Sequence, residues 1–103
     1  MSAFLLPRVA AGDGGAVREC INRYGGLVWS LARRLSAPSE IEDAVQEVFL
    51  DLWRSAARFD PGLSSEVAFI AMVARRRLID RRRRSQRMPQ VESLADAPTP
   101  AEP

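Results

Sequence analysis

Apolar residues recur along this chain at steps of three and four, and the repeat is interrupted at only a few places. From Ala16 the stripe runs through Val17, Cys20, Ile21 and Tyr24, then through Leu27, Val28, Leu31, Ala32 and Leu35. That spacing puts side chains on one face of an α-helix. Gly25-Gly26 stands in its middle, as a kink or as a boundary. A second stripe, Ile41, Val45, Val48, Phe49, Leu52 and Ala56, predicts a helix over about 40–57. A third, Val67, Phe69, Ile70, Val73, Ala74 and Leu78, predicts one over about 66–86. A short, weak helix over about 3–11 comes first, with Pro7 awkward inside it. The expected fold is all-α, a compact bundle of three main helices plus a short N-terminal one.

The interruptions carry turn chemistry. Gly12-Asp13-Gly14-Gly15 breaks the chain, and Asp13 is a good N-cap for the helix that follows. Ala37-Pro38 ends that helix, and Ser39-Glu40-Ile41-Glu42 fits a capping box for the next. Residues 58–64, Arg-Phe-Asp-Pro-Gly-Leu-Ser, read as a loop around an Asp-Pro-Gly turn, with Ser64 or Ser65 capping the last helix. Met88-Pro89 stops it. Residues 1–87 are expected to form one domain. Residues 88–103 are acidic and rich in proline and alanine, and read as a linker or tail.

Composition narrows the classes. A chain of 103 residues with 47% apolar content holds at most one domain with a small core. No apolar run approaches the roughly 20 residues of a membrane span, and the N-terminus lacks the basic and apolar regions of a secretory signal. The single cysteine, Cys20, allows no internal disulfide and is expected to be buried. With no histidine, neither a metal site nor a cofactor is expected, and a reducing cytoplasm is the default compartment.

The net charge of +2 hides a strong segregation. Residues 1–74 hold seven arginines against nine acids, residues 75–87 hold eight arginines and Asp80, and residues 88–103 hold three acids and no base. All fifteen basic residues are arginine, whose planar fork suits phosphate and whose face stacks on bases. Catalysis finds little support: there is no histidine for general-base work, and no serine or cysteine has an evident activating partner. Glu40, Glu42, Asp43 and Glu47 form an acidic cluster on a helix face that is ordinarily just solvated.

Two surfaces remain. On the second long helix, Asp43, Gln46, Glu47, Leu50 and Arg54 recur at spacings of three and four opposite the apolar stripe. They make either the polar side of an ordinary amphipathic helix or a docking face with Leu50 as its anchor and the acids meeting basic partner residues. The arginine-rich end of the last helix is either a solvated helix terminus or a phosphate-binding surface, because so many like charges repel unless something neutralises them. Phe59 and Phe69 stand near it, suited to unstacked bases or to the core.

The stretch Asp43–Trp53, DAVQEVFLDLW, resembles the second conserved region of sigma-70 family sigma factors, above all the extracytoplasmic-function (ECF) group. The group's pattern is roughly D-x-x-Q-E-x-F-x-x-x-W, and every specified position is met. RYGGLVWSLARRL, RFDP and AFIAMVARRRLIDRRRR resemble the flanking segments, so the likeness covers residues about 5–87. It implies a domain that binds RNA polymerase core and recognises and melts the promoter −10 element. Asp43, Gln46, Glu47, Leu50 and Arg54 would then dock on the clamp helices of the largest polymerase subunit. The loop with Arg58, Phe59, Asp60 and Ser64 would hold a base flipped from the non-template strand, and Phe69 and Met72 would line the point of melting. Arg75, Arg76 and Arg77 would meet the melted strand, and Arg81, Arg83 and Arg84 the upstream duplex backbone. Asp80 matches an acid of the family's last helix and would orient Arg76 or Arg84 by i,i+4 pairing.

Two positions depart from the pattern: Phe69 where the family usually has tryptophan, and Arg76 where asparagine is common. The resemblance also implies an anti-sigma factor as a further partner, no membrane contact, and a second helical domain reading the −35 element. The chain is therefore expected to be a fragment ending in the linker, and a monomer. A generic helical nucleic-acid-binding module and a regulatory protein-interaction domain are the rival readings.

Overall fold

The computed structural model describes residues 4–87; the expected linker, 88–103, lies outside them. Four α-helices pack together: α1 (Leu6–Ala10), α2 (Gly14–Leu35), α3 (Ile41–Ser55) and α4 (Glu66–Arg87). Short 3-10 turns, Pro38–Glu40 and Ala56–Arg58, lead into and out of α3. No strand occurs among the described residues. The fold is the all-α bundle that the three apolar stripes predict.

Each boundary has a local cause. Pro7 falls in the first turn of α1, where its missing N–H breaks no helical bond, so the expected awkwardness does not arise. At the end of α1, Gly12 takes φ +90°. The Asp13 N–H then donates to the Arg8 carbonyl at 3.0 Å and the Gly12 N–H to the Val9 carbonyl at 2.9 Å. This is the Schellman arrangement, which needs a left-handed residue at that point. Asp13 turns at once into the N-cap of α2, its Oδ1 accepting from the N–H groups of Gly15 and Ala16 at 2.9 and 3.2 Å.

Three expectations change. Gly25-Gly26 is neither a kink nor a boundary: α2 runs unbroken through both. The capping box at Ser39–Glu42 does not form. Ala37 is extended, Pro38 opens a 3-10 turn, and no side chain caps α3. The residue before a proline is driven out of the helical region, so the chain enters α3 one turn early and Ser39 never occupies a cap position. Ile21 belongs to the apolar stripe of α2 yet is exposed, at the margin of a turn whose Cys20 and Tyr24 are buried. The cap of α4 is Ser65, whose Oγ accepts from the Ala68 N–H at 3.0 Å.

The core lies where α2, α3 and α4 meet. Val28, Val48, Leu52, Ile70, Val73 and Leu78 are among its fully buried side chains, joined by Leu6 of α1 and by Leu5 just before it. Burying a side chain of this size stabilises by ~1.5–3 kcal/mol. Cys20 is buried as expected. Its desolvation, with the nearby Glu66 carboxylate, pushes the thiol up to about 11.

A polar tie crosses this apolar packing. Glu66, the first residue of α4, is buried. Its Oε2 accepts from the Leu6 N–H at 2.6 Å and its Oε1 from the Tyr24 hydroxyl at 3.1 Å. One carboxylate thus joins the starts of α1 and α4 to the middle of α2. It satisfies a helix-terminal N–H that would otherwise be buried without a partner.

Candidate protein and nucleic-acid interface

At 100° per residue the polar residues of α3 divide into two strips. Asp43, Gln46, Leu50 and Arg54 lie opposite the buried side and are exposed. Leu50 is 51% exposed, and none of the four makes an ion pair among the described residues. Trp53 flanks them, half-buried and stacked on Phe49 at 5.4 Å between ring centroids. This outer face holds an exposed leucine beside an aromatic ring, rimmed by polar groups.

Glu47 stands apart from that face. With Asp51, and with Glu40 at the residue just before α3, it forms a second strip along the edge that meets α4. Arg77 reaches Glu47 Oε2 through Nη1 at 3.2 Å and Asp51 Oδ2 through Nε at 3.3 Å. Arg81 reaches Glu40 through Nη2 at 2.9 Å and pairs with Glu47 through Nη1. Arg84 approaches Glu47 Oε2 at 3.9 Å. An isolated surface pair contributes ~0–1 kcal/mol. This network is partly buried, and Arg77 and Arg81 each bridge two carboxylates through charge-assisted hydrogen bonds, which makes it a firmer brace.

The arginine-rich helix end therefore has two sides. Arg77, Arg81 and Arg84 face the carboxylates along α3 and pair with them, Arg77 and Arg81 at hydrogen-bond distance and the more exposed Arg84 at 3.9 Å. Arg75, Arg76, Arg82 and Arg83 lie on the opposite side, exposed and in no ion pair among the described residues. Met72, also exposed, continues that outer side toward the start of α4. The expected need for an external anion is thus only half met from inside. The expected pairing of Asp80 with Arg76 or Arg84 is absent from the described ion pairs; Arg84 turns to Glu47 instead.

The loop between α3 and α4 is tightly built. Asp60 Oδ1 accepts from the Gly62 N–H at 2.8 Å, and the Asp60 carbonyl accepts from the Leu63 N–H at 2.9 Å. The turn carries Leu63 at its tip, 84% exposed, and leaves Arg58 and Asp60 on the surface and Ser64 half-buried. Phe59 packs inward. It is 8% exposed, edge-on to Phe4 at 5.3 Å and to Phe69 at 5.6 Å. Its apolar ring gains more from the core than from the surface, and the expectation of a stacking platform there is corrected. Phe69 is half-buried against the core, with one side toward the surface.

The sequence reading missed Asp51 and Glu40 as partners of the arginines, and Glu66 with Tyr24 as a buried tie. The first had a signal. Glu40, Glu47 and Asp51 are spaced seven and four apart, and Arg77, Arg81 and Arg84 four and three, so each set is one straight strip of opposite charge. The second had none, since Glu66 looks like an ordinary first-turn acid.

Comparison with known proteins gives the surfaces a context. The family model described as sigma-70 region 2 matches residues 20–88. A relative from Mycobacterium sp. (strain KMS), named ECF RNA polymerase sigma factor SigK, is 34% identical over 90 residues, covering 86% of this chain and 47% of its own length. SigK proteins of Mycobacterium bovis (strain BCG / Pasteur 1173P2) and Mycobacterium tuberculosis (strain CDC 1551 / Oshkosh) are each 36% identical over 83 residues, covering 80% of this chain and 44% of theirs. No solved structure matches. The chain spans about half the length of the relatives it matches. With the family model covering most of α2 and all of α3 and α4, the chain belongs to the sigma-70 region 2 family.

Proposed function

We propose that this domain binds RNA polymerase core and recognises and melts the promoter −10 element at the start of transcription, as part of an ECF sigma factor. The outer face of α3, with Asp43, Gln46, Leu50 and Arg54, docks on the clamp helices of the largest polymerase subunit. The outer side of α4, with Met72, Arg75, Arg76 and Arg83, tracks the DNA, and Phe69 lines the point of melting. The loop carrying Arg58, Asp60, Leu63 and Ser64 meets the flipped base. Family membership supports this reading of the partners. The observation that carries the surfaces is their separation: an apolar-centred face on α3 and an arginine row on α4 with no ion pair among the described residues, both outside the packed core.

Each surface has chemistry suited to its partner. Leu50 offers the apolar anchor around which polar rims exclude water. The four outer arginines spread over about 12 Å of helix axis. Phosphates lie about 3.4 Å apart along the axis for one strand, so a short stretch of backbone fits that row. Flipping a base costs a few kcal/mol, which the arginine–phosphate contacts offset.

The test is a binding titration against RNA polymerase core with the full chain and with Asp43→Ala/Leu50→Ala. Binding weakened by ~1–3 kcal/mol or more in the variant supports the docking face. A well-folded parent that ignores the polymerase and still binds DNA returns the chain to a generic nucleic-acid module.

A further inference from the structure

The two rows of arginine on α4 differ in one respect, the carboxylates of α3. Glu47 meets three guanidinium groups, Glu40 one and Asp51 one. Carboxylate oxygens here occupy the positions that phosphate oxygens would take on an unpaired arginine. Any phosphate approaching the inner row must displace them.

We propose that the Glu40–Glu47–Asp51 edge of α3 acts as an internal phosphate substitute, which confines nucleic-acid contacts to the outer arginine row and so limits binding to DNA of any sequence. This inference rests on the DNA-binding reading above and assigns Glu47 a role inside the chain. Seven arginines between residues 75 and 84 would give a strongly sequence-independent grip. Holding three of them on α3 leaves four to meet phosphate. The same ion pairs fix the rotation of α4 against α3, which sets where the outer row points. Glu47 is thus a positioning residue that acts through Arg81 and Arg84.

The salt dependence of binding reads the number of arginines engaged. For duplex DNA, log K falls against log salt with a slope of about −0.9 per phosphate contact. The four outer arginines contribute about −3.6 to the slope, and freeing two more raises the contribution of this stretch to about −5.4. The experiment measures this slope by fluorescence anisotropy on a duplex of arbitrary sequence, using the full chain. The Glu40→Gln/Glu47→Gln variant releases Arg81 and Arg84 while Asp51 still holds Arg77. It is expected to bind more tightly at low salt, with a slope steeper by about 1.8. Asp80→Asn removes an acid from α4 that pairs with no described arginine, and should leave the slope within error of the parent.

An unchanged slope in the double variant overturns the inference, and so does an equal steepening in Asp80→Asn, which would make the effect one of net charge alone. A fourth protein, with Arg75, Arg76, Arg82 and Arg83 all changed to Gln, separates the two levels of argument. If its slope stays at the parent's value, the DNA-binding reading of α4 fails. If it flattens while the double variant stays unchanged, only the inference fails. Circular dichroism melts of all four proteins identify any variant whose slope changes through unfolding. For such a variant the singly substituted Glu47→Gln, expected to steepen the slope by about 0.9, decides.

Discussion

Glu66 shows how much one side chain can do in a small core. It holds a backbone N–H of α1 and a hydroxyl of α2 from the first turn of α4. Glu66→Ala strands both donors in a buried place, and each unsatisfied group costs ~1–3 kcal/mol. Urea unfolding should show a loss in that range or above it. Glu66→Gln should cost less, because the Tyr24 hydroxyl can turn and accept from the new amide. Equal stability of Glu66→Ala and the parent would mean that the tie carries no weight.

Cys20 gives a prediction in pH. Burial raises its thiol to about 11 from an ordinary value of 9.0, so the folded chain keeps the proton that the unfolded chain releases. The stability this contributes is complete below pH 9 and is lost as pH rises toward 11. Tyr24, raised mainly by burial, adds a loss in the same direction at high pH. Unfolding free energy should therefore fall across that window, and Cys20→Ala should remove the thiol's part of the slope. At pH 8 a maleimide should label the native thiol far more slowly than the urea-unfolded one, since the reactive species is an accessible thiolate.

At the scale of the element, α2 holds the plainest mismatch between sequence and local physics. Two adjacent glycines in a helix interior are unfavourable by ~1 kcal/mol each relative to alanine. A Cβ added at either Gly25 or Gly26 meets nothing within 4 Å, and neither has a positive φ. Nothing in the described structure calls for them. Gly25→Ala and Gly26→Ala should each stabilise the domain by ~0.5–1 kcal/mol in thermal or urea unfolding.

The helices themselves were legible because each apolar stripe is long and meets a partner. The 22-residue α2 survived its glycines through packing by Val28, Leu31 and Ala32, which local propensity does not count. The entry to α3 was not legible, since Pro38 and Ser39 both offer a start and only the backbone chooses between them. The Phe59 ring was ambiguous for a similar reason. A loop aromatic beside arginines and a loop aromatic under α1 have the same sequence, and Phe4 decides the matter from 55 residues away. The arginines were plain as a cluster, but their division into an inner and an outer row depends on how α4 is rotated against α3.

For the whole molecule, that division separates two surfaces that a linear sequence runs together. The outer face of α3 and the outer side of α4 share no side-chain partner among the described residues, although the inner edges of the same helices are tied to each other. Substitutions at sites with no common partner usually add. Leu50→Ala should therefore weaken binding to polymerase core by ~1–3 kcal/mol and leave the salt slope for DNA untouched. Arg75→Gln/Arg76→Gln should flatten that slope by about 1.8 and leave core binding in the absence of DNA untouched. The triple variant should show both losses at full size when measured by core titration and by anisotropy on DNA. A triple variant whose core binding falls well beyond that of Leu50→Ala alone would mean that α4 touches the polymerase directly. The outer arginine row would then belong to both interfaces, and the separation of function by helix face would give way to a single continuous surface.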